Sequence, residues 1–356
     1  MGKPLKIAVY TVALNEAKHV ERWAASAKEA DLMLIADTGS EDNTVELGRK
    51  VGVQVHEICI SPWRFDYARN VALALIPKDY DICISMDMDE VLNEGWRAEV
   101  ERAWTEGITR IRHGFSFNVG LYYFNTRIHA RHGYYWDFMC HEIVCPQVDT
   151  KEVIAFNDKI TMSHRPDPTK SRGGYIELLE RAARADQDCF RMAYYYAREL
   201  FYHSKWEESI KEFKRYLAMP SAVWDQERGF ACRMIAQAYA SLKDYANAEK
   251  YLFQATQETP NNREPWYSLA ELMYLQQKWP ESLAYGLKAL SQKNKALVYT
   301  DDPAAWGEKP HDWVAIAAWN MGLNDLAIKH GQEALDINPK DERLKNNMQF
   351  YKKEAT

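Results

Sequence analysis

The sequence predicts an α/β domain followed by an all-α repeat domain, and three observations carry that expectation. Short apolar, β-branched runs alternate with helix-period segments through the N-terminal half. From about residue 175 the strand signals stop and only helix-period segments remain. Within those segments, small residues recur at a near-constant spacing. The 356 residues suffice for two domains at roughly 100–200 residues each, expected at 1–174 and 175–356.

In the first half, residues 6–12 form a β-branched run, 16–28 read as a helix, and 32–36 as a buried strand ending in Asp37-Thr38-Gly39-Ser40. That polar, glycine-containing turn opens the next helix, 43–51. A strand at 53–58, a helix at 66–75 and a strand at 81–86 follow, the last running into Asp87-Met88-Asp89-Glu90. This βαβαβαβ order is that of a mostly parallel sheet with helices on both faces. Ligands bind such sheets at the carboxyl ends of the strands.

In the second half, Ala197, Ser209 and Tyr216 align with Ala236, Ala248 and Ala255, then with Ala270, Ser282 and Ala289, at offsets of 39 and 34 residues. A further unit fits at Ala315, Ala327 and Ala334 after an insertion at 293–310. Pro260 and Pro339 close two units, and 341–351 reads as a capping helix. The pattern resembles tetratricopeptide repeats, whose period is 34 residues; an ordinary helical bundle is the plainer alternative. Of the 21 tyrosines, 14 lie from Tyr175 onward, as do seven of the 12 tryptophans, so most of the aromatic excess belongs to helix packing and a groove.

Composition narrows the function classes. Hydrophobic residues at 47% and charged residues at 27% are those of a folded globular chain. The balance of 45 Lys+Arg against 51 Asp+Glu gives −6, which disfavours dedicated nucleic-acid binding. No long apolar run and no signal-peptide core is present, and six cysteines are scattered without Cys-x-x-Cys spacing, so a cytoplasmic protein is expected. Cys140, His141 and Cys145 stand close enough to suggest zinc, yet a fourth ligand is not evident.

Four blocks carry the chemistry: Thr11-Val12-Ala13-Leu14-Asn15-Glu16, Asp37 to Thr44, Trp63-Arg64-Phe65-Asp66-Tyr67-Ala68-Arg69-Asn70, and Asp87-Met88-Asp89-Glu90. The strand before Asp87 delivers paired carboxylates to the sheet edge, a pattern suited to Mg²⁺ or Mn²⁺. Asp-x-Asp alone is more often a solvated turn. In this order the blocks resemble glycosyltransferase family 2, the inverting nucleotide-sugar enzymes of the GT-A (Rossmann-like) fold. The resemblance covers about the first half of the chain; the repeat half resembles the helical domain that follows in some members.

The resemblance implies that Thr11, Ala13, Asn15 and Glu16 line the nucleotide pocket, where helix capping would otherwise explain Asn15 and Glu16. It also implies that Asp37 contacts the nucleoside, with Gly39 allowing a tight turn; a helix cap is the plain reading. Arg69 suits a diphosphate or the Asp-x-Asp carboxylates. Asp87 falls near the ribose or sugar and beside the metal, Asp89 is the better metal ligand, and His164 is implied as a further ligand or diphosphate contact. The general base that inversion needs is Glu142 in a His-Glu pair, with Asp137 as runner-up because the better-known Glu-Asp pair is lacking. Lys170 and Arg172 lie on a polar stretch that could close over the diphosphate or serve as a linker.

The implied function is metal-assisted transfer of a sugar, a UDP-sugar being the expected donor, to an acceptor that the sequence leaves open among saccharide, peptide or protein, and, least favoured, modified DNA. The alternatives are an inactive nucleotide-sugar-binding scaffold and a repeat protein that binds peptides or proteins. The repeats could hold an acceptor or pair two copies as a homodimer, and the insertion could fold back towards the active site.

Overall fold

Ile7-Ala8-Val9-Tyr10 has no exposed face to give to water, and all four residues are buried, as in a central strand covered on both sides. In the computed structural model, which describes residues 4–117, 120–167 and 174–354, this segment is β1 (Ile7–Ala13). There follow α1 (Ala17–Ala27), β2 (Leu32–Asp37), α2 (Thr44–Lys50), β3 (Gln54–Glu57), α3 (Phe65–Leu75) and β4 (Ile82–Ser85). Then come β5 (Glu90–Leu92), α4 (Trp96–Ala103), β6 (Arg110–Phe117), β7 (Leu121–Ala130), β8 (Tyr134–Asp137), β9 (Ile143–Pro146) and β10 (Ile154–His164). The chain divides into two compact units, Met1–Ala182 and Ala183–Thr356, with the division inside α5 (Tyr175–Ala185).

Eight strands form one sheet in the order β3-β2-β1-β4-β7-β6-β10-β5, and β8 pairs with β9 in a separate two-stranded sheet. The first four strands are parallel. Beyond them β7 runs antiparallel to both β4 and β6, and β5 antiparallel to β10. The four strands read from the sequence are parallel as expected, and β6 pairs parallel with β10; the antiparallel pairings of β7 and β5 make the whole sheet mixed. Beyond α4 the consecutive strands β6 and β7 pair antiparallel, a reversal that needs no helical crossover.

One face packs Ile7 and Val9 against Val20 and Trp23 of α1 and Trp96 and Val100 of α4. Both indoles are sealed yet satisfied: Trp23 Nε1 donates to the Met86 carbonyl at 2.9 Å and Trp96 Nε1 to the Ser26 carbonyl at 3.0 Å. The other face packs Ala8 and Tyr10 against Ala72 and Leu73 of α3 and against Tyr134 and Trp136 of β8, so a small sheet shares the cover with the one helix. A buried polar chain runs through this layer. Trp136 Nε1 donates to Tyr10 Oη at 2.7 Å, and Tyr10 Oη meets His129 Nε2 at 3.1 Å. Burial pushes His129 down to about 3 and His113 to about 4, so both rings are neutral at pH 7.

The second unit is a run of antiparallel helix pairs: α6 (Phe190–Tyr202) with α7 (Trp206–Ala218), α8 (Asp225–Ser241) with α9 (Tyr245–Glu258), α10 (Glu264–Leu275) with α11 (Trp279–Ser291), and α12 (Lys309–Asn320) with α13 (Asn324–Ile337), then α14 (Glu342–Glu354). The small residues meet as the spacing predicts. Ser209 Oγ donates to the Ala197 carbonyl at 2.9 Å and Ser282 Oγ to the Ala270 carbonyl at 3.0 Å, so each serine closes the approach of two helices. Ala248, Ala255, Ala327 and Ala334 are fully buried at the equivalent places. This is a tetratricopeptide-like helical repeat architecture.

Each pair turns the same way. Ser204, Lys243, Gln277 and Gly322 have φ of 57°, 64°, 56° and 75°, the left-handed conformation that ends a helix in a Schellman motif. The residue after each donates its N–H back to the helix, Lys205 to Leu200, Asp244 to Tyr239, Lys278 to Met273 and Leu323 to Ala318, all at 2.9 Å. Pro260 and Pro339 stand just after α9 and α13, where no further helical N–H is required. The insertion between α11 and α12 contains a 3-10 turn, Pro303–Trp306. It packs on the repeats themselves: Arg233 donates to the Thr300 carbonyl at 2.9 Å, and Trp306 Nε1 to Glu264 at 2.7 Å beneath the Arg263 guanidinium.

Candidate functional site

The carboxyl ends of β1, β2 and β4 lie side by side because the strands are parallel and adjacent. Their loops are laced together. Asn15, at φ 55°, accepts from Glu41 N at 2.8 Å through Oδ1 and donates its own N–H to Ser40 Oγ at 2.8 Å. Glu16 N donates to Thr44 Oγ1 at 2.7 Å, and Ala17 N to Asp42 Oδ2 at 3.1 Å. Thus α1 is capped from the neighbouring loop by Asp42, and neither Asn15 nor Glu16 caps it with a side chain.

Three expected pocket residues face inward instead. Thr11 is 0% exposed and Ala13 2%, and Thr11 Oγ1 donates to the Val12 carbonyl, so neither side chain lines an open surface. Asp37 is 1% exposed. Its Oδ1 accepts from Gly39 N at 3.0 Å and Ser40 N at 2.8 Å, and its Oδ2 from Ser40 Oγ. The carboxylate thus builds its own loop, while Gly39 at φ 105° supplies a backbone conformation that other residues resist.

Arg69 of α3 is the hub of the edge. Its Nη2 donates to Asp87 Oδ1 at 2.6 Å, its Nη1 to Ser85 Oγ at 3.2 Å and its Nε to Glu142, and the guanidinium lies over the Trp136 ring at 4.7 Å. Asn70, next in sequence, clamps α3 to β8 by donating to the Trp136 carbonyl at 2.7 Å and accepting from Trp136 N at 2.8 Å. Glu142 is therefore held as the partner of a buried cation. Asp137, at the end of β8, accepts from Phe138 N at 2.8 Å.

Asp87 has a second cation that no sequence signal pointed to. The antiparallel register that sets Ile84 opposite Ile128 brings Arg127 to the end of β4, where its Nη1 reaches Asp87 Oδ2 at 3.0 Å and Glu90 Oε2 at 2.8 Å. Burial alone would raise the Asp87 carboxyl, but Arg69 and Arg127 outweigh it and hold it well below the usual carboxylate range. Glu90, buried and beside Asp87 and Asp89, is pushed up to about 7 against the pull of Arg127.

Asp89 is turned the other way. The pairing of β5 with β10 sets His164 opposite Glu90, and His164 Nε2 lies 3.1 Å from Asp89 Oδ2. The imidazole is stacked on Phe117 at 4.6 Å between centroids and 4° between planes, which fixes its orientation. Asp87 does not join Asp89 and His164 as a third converging ligand atom among the described residues; its oxygens face the arginines, which corrects its expected place beside a metal. Nor do Cys140, His141 and Cys145 converge as a metal cluster among the described residues. Lys170 and Arg172 lie outside the described residues.

The arrangement has a clear charge imbalance. The carboxylates of Asp87, Asp89 and Glu142, with Glu90 part protonated near pH 7, gather around two arginines and one histidine. Excess negative charge at a strand edge favours a cation, and oxygen plus imidazole donors accept a divalent one.

The chain matches no family model and no curated protein sequence. Solved structures similar to it are tetratricopeptide and related proteins that overlap about half of the chain. YrrB, a tetratricopeptide protein described as having an unusual peptide-binding site, is 13% identical, covering 51% of this chain and 84% of its own, at a TM-score of 0.40. MamA is 16% identical, covering 47% and 89%, also at 0.40. PilF of Pseudomonas aeruginosa is 15% identical, covering 50% and 72%, at 0.39. Likeness at that level carries no argument, and the repeat architecture rests on the helix pairs and their turns. No helix among the described residues is long and apolar enough to cross a membrane.

Proposed function

We propose that the α/β unit binds a nucleotide-sugar, a UDP-sugar first among them, and transfers its sugar with inversion, as the resemblance to glycosyltransferase family 2 of the GT-A fold implies. The observation that carries the reading is the Asp89–His164 pair at the carboxyl edge of the sheet, 3.1 Å between Oδ2 and Nε2. Adjacent ligands of an octahedral ion bound at about 2.1 Å stand about 3 Å apart, so the pair fits two positions around Mn²⁺ or Mg²⁺. A metal held there by Asp89 and His164 would neutralise charge growing on the departing diphosphate.

The chain's own residues supply the rest. Arg69, pinned by Asp87 and Glu142, keeps a fixed positive charge beside the diphosphate. Arg127 holds Asp87 and Glu90 in place, so that Asp87 orients the arginines and the sugar side of the donor. Glu142 is already committed to Arg69, which leaves Asp137 as the carboxylate to take the acceptor proton.

The test is donor hydrolysis across a nucleotide-sugar panel with Mn²⁺. Metal-dependent release of nucleoside diphosphate that is lost in Asp89→Ala and in His164→Ala supports the reading. Donor binding without turnover would leave an inactive scaffold, and no binding or turnover with any donor would overturn the reading.

A second reading has its own observation. The helical unit carries a groove of about 640 Å³ lined in part by Arg233, Gln237, Tyr267, Glu271, Asp302 and Lys309. Charges of both signs beside an aromatic ring suit a peptide or protein segment. In this reading the repeats bind a polypeptide, which in a transferase would be the acceptor. Protection of α8 and α10 from hydrogen exchange by peptides, whether or not a nucleotide-sugar is present, separates it from the first reading.

A further inference from the structure

Outside the sheet edge, one group of three His and Glu side chains brings its ligand-type atoms together among the described residues. His311 sits in the first turn of α12, and His330 and Glu333 sit three residues apart on α13. His311 Nδ1 lies 3.0 Å from His330 Nδ1 and 2.7 Å from Glu333 Oε2, and His330 Nδ1 lies 3.2 Å from the same oxygen. The two rings are stacked with centroids 5.2 Å apart and 27° between planes. Three donor atoms thus form one small triangle between the two helices of the last repeat pair.

With Glu333 as a carboxylate, protons do not satisfy that triangle. A neutral imidazole carries one N–H. With both Nδ1 atoms protonated, each can donate to Glu333, but the two N–H groups then oppose each other across 3.0 Å. With one protonated, a lone pair faces a lone pair on one side; with none, on all three. A single cation above the triangle uses all three lone pairs at once. Around Zn²⁺ with bonds of about 2.0–2.1 Å, tetrahedral ligand atoms stand about 3.3 Å apart. The observed edges of 2.7, 3.0 and 3.2 Å reach that with side-chain shifts of a few tenths of an ångström. Two imidazoles and one carboxylate suit Zn²⁺ better than Mg²⁺ or Ca²⁺, which prefer oxygen throughout.

We propose that His311, His330 and Glu333 form a Zn²⁺ site that clasps α12 to α13, with a fourth position left for water. Its donor set, place and metal differ from those proposed for Asp89 and His164, so each stands without the other. His330 is buried and Glu333 is the more exposed, so Glu333 gives the safer variant.

The test is Zn²⁺ titration of the full chain carrying Asp89→Ala, stripped with a chelator, against a competing indicator dye and followed in parallel by melting temperature. The expected result is one equivalent of bound Zn²⁺, a rise in melting temperature with saturation, and loss of both in His330→Ala. Glu333→Gln, with unchanged circular dichroism, should weaken binding at least tenfold, since even outer-shell partners of a metal are worth about that much. No bound Zn²⁺, or a weakening in Glu333→Gln of less than tenfold, overturns the site.

Discussion

The two units spend their polar groups in opposite ways. In the α/β unit, carboxylates and arginines are gathered at one edge of the sheet, where Asp87, Asp89, Glu90 and Glu142 outnumber Arg69 and Arg127. In the repeat unit, polar groups are spread along the array and close helix against helix, as Ser209 and Ser282 do. Concentration of uncompensated charge is unfavourable for folding and is the mark of a site. Periodic closure of backbone carbonyls is the mark of a scaffold. The difference is the reason the proposed transfer is placed in the first unit, while the second repeats one helix-closing contact along its length and gathers ligand-type side chains only at its last pair.

The largest effect should come from the hub. Arg69→Met removes the partner of Asp87 and Glu142 in a buried setting, so stability should fall by about 3–5 kcal/mol, read by urea unfolding of the full chain. A loss below about 1 kcal/mol would mean that the edge is solvated and the contrast between the units is weaker than described.

Next is pH. His129 and His113 have folded-state values lowered by burial to about 3 and about 4 from an ordinary 6.5. Their neutral forms stabilise the α/β unit fully above pH 6.5, and that contribution is lost as pH falls through 6.5 towards 3–4. At pH 5 each costs about 2 kcal/mol. Melting of the α/β unit should therefore drop between pH 7 and 5, and His129→Phe should flatten the slope. An unchanged slope in that variant would show that His129 does not carry it.

In the repeat unit the effects should be smaller and local. Ser282→Ala leaves the Ala270 carbonyl without its 3.0 Å donor and should cost about 1 kcal/mol. At the turns the sign reverses: Lys243→Gly, at φ 64°, should be neutral to stabilising by up to about 1 kcal/mol, because the left-handed penalty outweighs the added chain entropy. A loss there would mean that the turn conformation is not what Lys243 resists.

Much of this contrast was legible in the sequence, and the reasons follow from range. The strands β1, β2 and β4 are continuous apolar runs stopped by polar turns, and the helix pairs declare themselves through small residues at a fixed offset. The meeting of Arg69 with Asp87 was foreseeable, because a buried guanidinium early in α3 needs a carboxylate and Asp87 stands just past β4, the element that follows. Arg127 was not, since its place depends on the register of β7 against β4, which no local pattern states. Asp37 could be read as a ligand-facing group until its bonds to Gly39 and Ser40 were seen. Thr11 and Ala13 were misread because a strand's two faces cannot be assigned before its neighbours are known. Ser204, Lys243 and Gln277 gave no glycine signal at turns that favour glycine, and His311 and His330 stand on different helices.

The most direct measurement of the central claim is electron paramagnetic resonance of Mn²⁺ added to the full chain with a nucleoside diphosphate. One bound Mn²⁺ coupled to a ligand nitrogen, the coupling abolished in His164→Ala and binding lost in Asp89→Ala, is the predicted result. A Mn²⁺ signal indifferent to both substitutions would contradict the assignment of the sheet edge as a metal-assisted site.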